Sequence, residues 1–515
     1  MKTAIIIGAG PAGLTAAYEL LAKSADFRVT VLEESDYMGG ISRTVSYNGN
    51  LMDTGPHRFF SKVPEVNQWW ENLMPEQGSL PYDYRTLGQS ARLSPNGPDP
   101  DKTDRVMLRR NRLTRIFFRH KFFDYPISMK LSTLRNMGLF TTISAGLSYL
   151  KAAMFKRQEK SLEDFYVNRF GKKLYSMFFE YYTQNLWGRH PSEISPEWGA
   201  QRVKGLSILA ILRDIFGKIF HRRNRHVETS LIEEFSYPKL GAGQIWEIAA
   251  DEIRSMGGEI ITGAKVTGLH RTGDIVDSVS YVKDGQTLTA PCDIVISSMP
   301  VRDLVLAMND VPERAKFIAS GLPYRDYRIA GMLVKNFRLK NDTATKTLGD
   351  IIPDEWIYVQ DREVRVGRIV IFNNWSPYMV RDPEHTVWLG LEYFCTEGDS
   401  LWSMSDSDFA DMAAGELVMM GMIDAKSDVI DSHVERVKKA YPAYFDTYEH
   451  MQELREWLDT VTNLWCVGRN GQHRYNNMDH SMCTAFEAVK GILSGTSDKS
   501  AVWNVNTEKE YHESK

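Results

Sequence analysis

Ile5-Ile6-Ile7-Gly8-Ala9-Gly10-Pro11-Ala12-Gly13 decides the fold. An apolar run from Thr3 to Ile7 enters Gly8-x-Gly10-x-x-Gly13, a helical pattern follows, and a second apolar run, Val29-Thr30-Val31-Leu32, ends on Glu33. This order of strand, turn, helix and strand is that of a dinucleotide site. Gly8 permits the tight turn, Gly10 lets backbone N–H groups approach a pyrophosphate, with Pro11 and Ala12 opening the helix, and Gly13 lets helix and strand pack closely. Glu33, twenty residues past Gly13, is placed to accept hydrogen bonds from a ribose.

The residues that follow favour FAD over NAD. Gly39-Gly40-Ile41-Ser42-Arg43 supplies a second glycine pair, where backbone can lie against phosphate or an isoalloxazine ring. Near the other end, Leu464-Trp465-Cys466-Val467-Gly468-Arg469 reads as a strand ending on glycine and arginine, and Asp479 to Leu493 as a helix whose N-terminus faces the cofactor.

Composition bounds the rest. The 515 residues exceed a single core and predict two or three subdomains; 43% apolar and 25% charged residues are ordinary for a globular protein. A net charge of −4 predicts no general affinity for nucleic acid. Cys292, Cys395, Cys466 and Cys483 lack C-x-x-C spacing, so neither a disulfide framework nor a metal site is expected, and a reducing cytoplasm is the expected location. Only Met1 and Lys2 precede the first strand, so no signal peptide is expected. The most apolar helical stretch, Gly138 to Phe155, is interrupted by Thr, Ser and Lys151 and should not span a membrane. Two basic clusters, Arg105 to Lys121 and His221 to His226, read as solvated hairpin and loop, or as attraction for a polyanionic substrate or weak contact with an anionic membrane surface.

Further along, a hairpin is predicted from Leu113 to Phe118 returning as Lys121 to Tyr125, then mainly helices from Met129 to Glu234. After Tyr237-Pro238-Lys239-Leu240-Gly241-Ala242-Gly243 come a helix from Ile245 to Met256, a strand from Lys265 to Leu269 that includes Val266, and a strand in Asp293 to Pro300. Further strands are predicted at Tyr327 to Val334 and Val366 to Phe372.

Taken together, these motifs resemble the flavin-dependent UDP-galactopyranose mutases, the eukaryotic branch more than the bacterial, over nearly the whole chain. Asp53-Thr54-Gly55-Pro56-His57-Arg58-Phe59-Phe60 resembles the D-x-G-G-H-x-x-F segment whose histidine lies beside the flavin; Pro56 replaces a glycine. Phe178-Phe179-Glu180-Tyr181-Tyr182-Thr183-Gln184-Asn185-Leu186-Trp187-Gly188 resembles the aromatic run before a mobile tryptophan loop. The resemblance implies that Phe178 stacks on the nucleotide base, that Trp187 begins the lid, and that Arg202, fifteen residues past Trp187, binds the diphosphate. Read as residues alone, Phe178 and Trp187 are aromatics at helical spacing, which usually pack. Trp356-Ile357-Tyr358 and Arg368-Ile369-Val370-Ile371-Phe372-Asn373-Asn374-Trp375-Ser376-Pro377 resemble W-x-Y and R-x-x-I-F-x-N-Y-S-P, with Trp375 in place of tyrosine. Arg368 would be the second diphosphate arginine and Tyr358 a phosphate donor. Tyr441-Pro442 and Arg474-Tyr475-Asn476-Asn477-Met478-Asp479-His480-Ser481 resemble two further segments. They make Tyr441, Tyr475 and Asn477 substrate-side residues and Met478 a cofactor contact. Asp124-Tyr125-Pro126-Ile127 keeps the Tyr-Pro of a base-binding segment, with Ser128 in place of glutamine.

The expected fold is therefore α/β: a discontinuous Rossmann-like FAD-binding domain (1–60, 236–310 and 460–497), a helical domain with a mobile substrate loop (129–235), an antiparallel-sheet substrate domain (61–128 and 311–459) and a tail (498–515). The resemblance implies an isomerase of polysaccharide biosynthesis that interconverts pyranose and furanose forms of a nucleotide-linked sugar. In that family NADPH or NADH can reduce the flavin, and reduced flavin N5 attacks the anomeric carbon. His57, Arg202 and Arg368 would be its catalytic residues. Two other classes share the N-terminal glycine segments: an FAD oxidase or desaturase of the amine oxidase or protoporphyrinogen oxidase type, and a non-catalytic flavin-fold protein. Two arginines that can clamp a diphosphate favour the first reading, because an apolar substrate would want an aromatic cage.

Overall fold

Lys2–Ile7 and Phe27–Leu32 form adjacent parallel strands, Ile5 opposite Thr30, with the helix Pro11–Lys23 crossing between them. A parallel pair requires a crossover connection of this kind, usually through a helix. The computed structural model describes residues 1–125, 127, 131–196 and 234–506.

Five parallel strands make the central sheet, in the order Leu464–Cys466, Ile294–Ser297, Lys2–Ile7, Phe27–Leu32, Glu259–Ile261. Their near-continuous apolar runs fit a sheet covered on both faces: Ile5, Ile6, Val31, Val295 and Ile296 are each at most 1% exposed. A three-stranded antiparallel sheet (Lys265–Thr272, Ile275–Lys283, Gln286–Pro291) and the hairpin Thr44–Tyr47 with Asn50–Asp53 accompany it. The predicted helices at 245–256 and 479–493 appear as Gln244–Ser255 and Met478–Ser494.

The chain divides into two compact units. The first comprises Met1–Arg109, Ser236–Tyr324 and Lys439–Thr507; the second comprises Arg110–Phe235, Arg325–Lys438 and Glu508–Lys515. This differs from the expected boundaries. Residues 61–109, 311–324, 439–459 and 498–507 belong with the dinucleotide fold, and the helical and sheet portions are one unit. Trp69 shows why for the first stretch: on the helix Pro64–Leu73, it packs on Tyr18 and Trp246 of the dinucleotide fold.

In the second unit, seven strands run in the order Val429–Pro442, Tyr324–Val334, Val387–Cys395, Arg368–Ile371, Trp356–Val359, Thr114–Phe118, Lys121–Asp124. The sheet is mixed and not purely antiparallel, because Trp356–Val359 pairs in parallel with Thr114–Phe118. The predicted hairpin is present, its two-residue turn formed by Arg119 and His120, both at positive φ, as a type I′ turn demands. Helices Leu139–Met154, Leu162–Phe178 and Glu180–Trp187 belong to the same unit. Among the described residues no helix is long and apolar enough to cross a membrane, and no group of His, Cys, Asp and Glu is placed to hold a metal. All four cysteines are free thiols.

Candidate active site

On the dinucleotide side, each glycine of the turn has a separable task. Gly8 adopts φ +97° and leaves the place of its missing Cβ to the Ser298 hydroxyl, which donates to the Ile7 carbonyl. A Cβ on Gly13 would collide with the Gly8 backbone and lie 3.4 Å from Ile6 Cγ2, so this residue sets the approach of helix to strand. Gly10 is different. A Cβ there would meet only Gly40 Cα, at 3.9 Å, and Gly10 caps the helix Pro11–Lys23 without any side-chain hydrogen bond. Open backbone at a helix N-terminus that carries no capping side chain is suited to phosphate.

Glu33 is held beside that turn. Its Oε2 accepts from the Ala9 N–H at 2.7 Å, and its Oε1 accepts from the Ser35 N–H at 2.9 Å and the Ser35 hydroxyl at 2.7 Å. A carboxylate has about four acceptor positions, so capacity remains for one ribose hydroxyl. The Ala264 N–H donates to the Glu33 carbonyl, which sets Val266 two residues further along the neighbouring strand. The second glycine pair returns to the same turn, the Gly39 N–H donating to the Ala9 carbonyl, with Gly39 and Gly40 at φ +92° and +54°. Ser42 is buried, and the Arg43 guanidinium lies over Tyr37.

The C-terminal residues meet the glycine turn at Gly468. Gly468, at φ +76°, places its α-carbon where a Cβ would sit 2.8 Å from Ala12 Cβ, and Met478 opens the last long helix. Arg469 lies over the Tyr475 ring at 4.0 Å and the Tyr441 ring at 5.1 Å, and those two rings stack 15° apart. Its Nε is buried without a hydrogen-bond partner among the described residues. Asn477 is exposed and its backbone N–H donates to His480 Nδ1, so it begins a helix. His57 is half-buried in the loop after Asn50–Asp53.

Two elements of this side were not assigned from sequence. Asp53, fully buried, accepts from Thr44 Oγ1 at 2.6 Å, from the Ala242 N–H and from the Tyr237 hydroxyl. Burial pushes its carboxyl up to about 7 against the opposing pull of those three donors. His473 is also fully buried, its Nε2 3.0 Å from the Ala443 carbonyl, and desolvation lowers it to about 4. Asp53 stands in a recognised motif, but nothing in its spacing announces that Thr44 and the stretch from Tyr237 to Ala242 converge on it.

In the second unit, Tyr358, Arg368 and Glu392 lie directly opposite one another on three adjacent strands. Directly opposed residues share a face of the sheet. The Arg368 guanidinium binds Glu392 Oε2 through Nε at 2.7 Å and through Nη2, and sits 5.5 Å from the Phe394 ring. Tyr125 packs on Tyr358 with ring centroids 4.6 Å apart and ring planes tilted by 37°, and Tyr182, unassigned in sequence, meets Tyr358 edge-on at 5.5 Å. The structure thus brings Tyr125, Tyr358 and Arg368 together.

Three other expected ligand contacts are core residues. Trp375 is 1% exposed, stacks on Trp356 and donates its indole N–H to the Glu355 carbonyl at 2.9 Å. Phe178 is 2% exposed between Phe118 and Phe123, and Trp187 is 2% exposed at the end of its helix. All three rings are covered by protein, and Phe178, the one expected to stack on a base, has Phe118 and Phe123 packed against it. Arg202, Ser128 and the His221 to His226 cluster lie outside the described residues. Much of the other basic cluster is neutralised: Arg105 pairs with Glu252, Arg109 with Glu76, and Arg115 with Asp354.

Residues 11–464 match the family model of flavin containing amine oxidoreductase. The chain belongs to that family. It is an FAD-dependent enzyme of the amine oxidase superfamily, and the glycine turn and Glu33 fit the cofactor's dinucleotide half. The structure is similar to that of reduced UDP-galactopyranose mutase (TM-score 0.76, 19% identity, 99% of this chain and 100% of the other), a likeness of fold. Shorter stretches are similar in sequence to 1-hydroxycarotenoid 3,4-desaturase of Flavobacterium sp. (strain P99-3), 46% identical over 76 residues. Protoporphyrinogen oxidase 2, chloroplastic/mitochondrial, of Arabidopsis thaliana is 39% identical over 72 residues. These matches span 15% and 14% of this flavoprotein and the same shares of the two relatives.

Proposed function

We propose that this flavoprotein is an isomerase interconverting the pyranose and furanose forms of a nucleotide-linked sugar. The observation that carries the reading is the Tyr125, Tyr358 and Arg368 cluster. A fixed guanidinium beside a cluster of phenols suits a diphosphate next to a flat base, and is out of place in a pocket for an apolar amine or polyene. Glu392 fixes the orientation of Arg368 and reduces the charge a ligand meets, so the phenols contribute direction and Arg368 a pre-aimed donor. Arg202 would add the second cation. Bound FAD, once reduced, supplies the nucleophile. Arg469, beside Tyr441 and Tyr475, offers a buried donor in the unit that carries the flavin.

The test is incubation of the purified yellow protein, reduced with dithionite or NADPH, with a panel of nucleotide sugars, reading furanose products by NMR. Products should form with reduced enzyme only, without stoichiometric consumption of NADPH. The short stretches shared with a desaturase and an oxidase favour the second reading, an FAD oxidoreductase. Continuous consumption of oxygen or NADPH without ring isomerisation would establish that reading and remove the first.

A further inference from the structure

Helix Leu139–Met154 carries a row of large apolar side chains on its outer side. Leu139, Ile143, Leu147, Leu150 and Met154 recur at helical spacing and are 71, 52, 64, 54 and 70% exposed, with Phe140 at 89% and Phe155 at 71% beside them. The opposite side is small. Ala145 and Ala152 are buried, and Gly171 of the neighbouring helix, at φ +75°, lets that backbone approach so closely that a Cβ would lie 2.7 Å from Tyr149 N. The helix is therefore docked firmly by one face while its greasy face points outward, and a patch of this kind marks an interaction surface.

Charge identifies the occupant. Arg135, Lys151 and Lys156 are exposed around the row, Arg157 beside them is paired with Glu163 and Asp164, and no Asp or Glu occurs from residue 125 to 158. Two copies paired about a two-fold axis would bring this basic rim onto itself, with no acid from this stretch to answer it. Sixteen residues rise only about 24 Å, short of a roughly 30 Å hydrocarbon core. We propose that helix Leu139–Met154 lies in the surface of an anionic lipid bilayer, its apolar row among the acyl chains and its lysines at the headgroups. The proposal does not depend on the isomerase reading.

The test is sedimentation of the full-length holoprotein with vesicles of phosphatidylcholine, with and without phosphatidylserine. Wild type should pellet with the anionic vesicles and be released by salt. Phe140→Ser/Leu147→Ser/Met154→Ser should abolish pelleting. Lys151→Gln/Lys156→Gln should weaken it about fivefold for each lysine lost, the effect of about 1 kcal/mol per cation near the surface. Flavin absorbance and the unfolding midpoint report that the variants remain folded. As a second measurement, an environment-sensitive dye on Leu147→Cys should shift to the blue on anionic vesicles, compared with dye-treated wild type. Three results would each overturn the proposal: wild type remaining in solution, a triple serine variant that pellets like wild type through another part of the chain, or a wild-type dimer that the same substitutions dissolve.

Discussion

Arg368 and Glu392 face each other across neighbouring strands, guanidinium Nε 2.7 Å from carboxylate Oε2, and the carboxylate is entirely buried. The arginine that the sequence offered as a ligand for phosphate is thus also the counter-ion of an internal acid, whose other oxygen has no partner among the described residues. Burial raises the Glu392 pKa, and Arg368 opposes that rise.

Arg368→Ala should therefore destabilise the fold by about 3–5 kcal/mol, because it strands a buried charge, whereas Arg368→Met/Glu392→Leu should unfold close to wild type. Denaturant midpoints read this difference. The double variant then isolates the ligand role: affinity for a fluorescent UDP should fall by roughly 1.5–3 kcal/mol. Unchanged affinity would make the pair purely structural.

Gly10 and Gly13 should fail in different ways. Gly10→Ala has room and an ordinary extended backbone, so the protein should fold while retaining less FAD. Gly13→Ala meets the Gly8 backbone, so fold and flavin should be lost together. The ratio of flavin to protein absorbance, measured beside a thermal melt, separates the two.

Two buried groups tilt stability with pH in opposite senses. His473, lowered to about 4, is neutral when folded, so the unfolded chain binds the extra proton and stability falls as pH drops from about 6.5 to 4. Asp53, raised to about 7, holds its proton when folded, so its contribution is present below pH 4 and is lost as pH rises through 7. His473→Gln should leave stability declining from pH 4 to 7, and Asp53→Asn should leave it rising over the same range. Equal slopes in the two variants, measured by urea unfolding, would contradict both assignments.

Trp375→Phe should cost about 1–3 kcal/mol, since the Glu355 carbonyl loses a buried donor, and should leave UDP affinity unchanged. A drop in affinity at full stability would return Trp375 to the ligand.

The dinucleotide half was legible because its signals are local and backbone-driven: a glycine that needs positive φ, an apolar run of strand length, a carboxylate at the next strand's end. Its middle and final pieces were found for the same reason. The substrate half was harder to read. Trp375 lies beyond the strand in the helical turn Phe372–Trp375, where it packs on Trp356 and donates to the Glu355 carbonyl, and strand alternation says nothing about neighbours met there. Phe178 and Trp187 show that residue type and spacing do not reveal which neighbours cover a ring. Which acid Arg368 would meet depended on the register between two strands, with Glu392 24 residues further along the chain, and no local pattern encodes that.

The parallel sheet has a consequence for how the enzyme is made. Its edge strand, Leu464–Cys466, and the helix Met478–Ser494 leave the ribosome only after all of residues 110–235 and 325–438 have been synthesised. Until then the strand Ile294–Ser297 has a bare edge and the glycine turn lacks Gly468 against Ala12. Cofactor capture is in this sense a late event in biogenesis. A polypeptide cut short before residue 464 would present open strand edges to chaperones and proteases, and yellow colour in a preparation would report completed synthesis as well as correct folding.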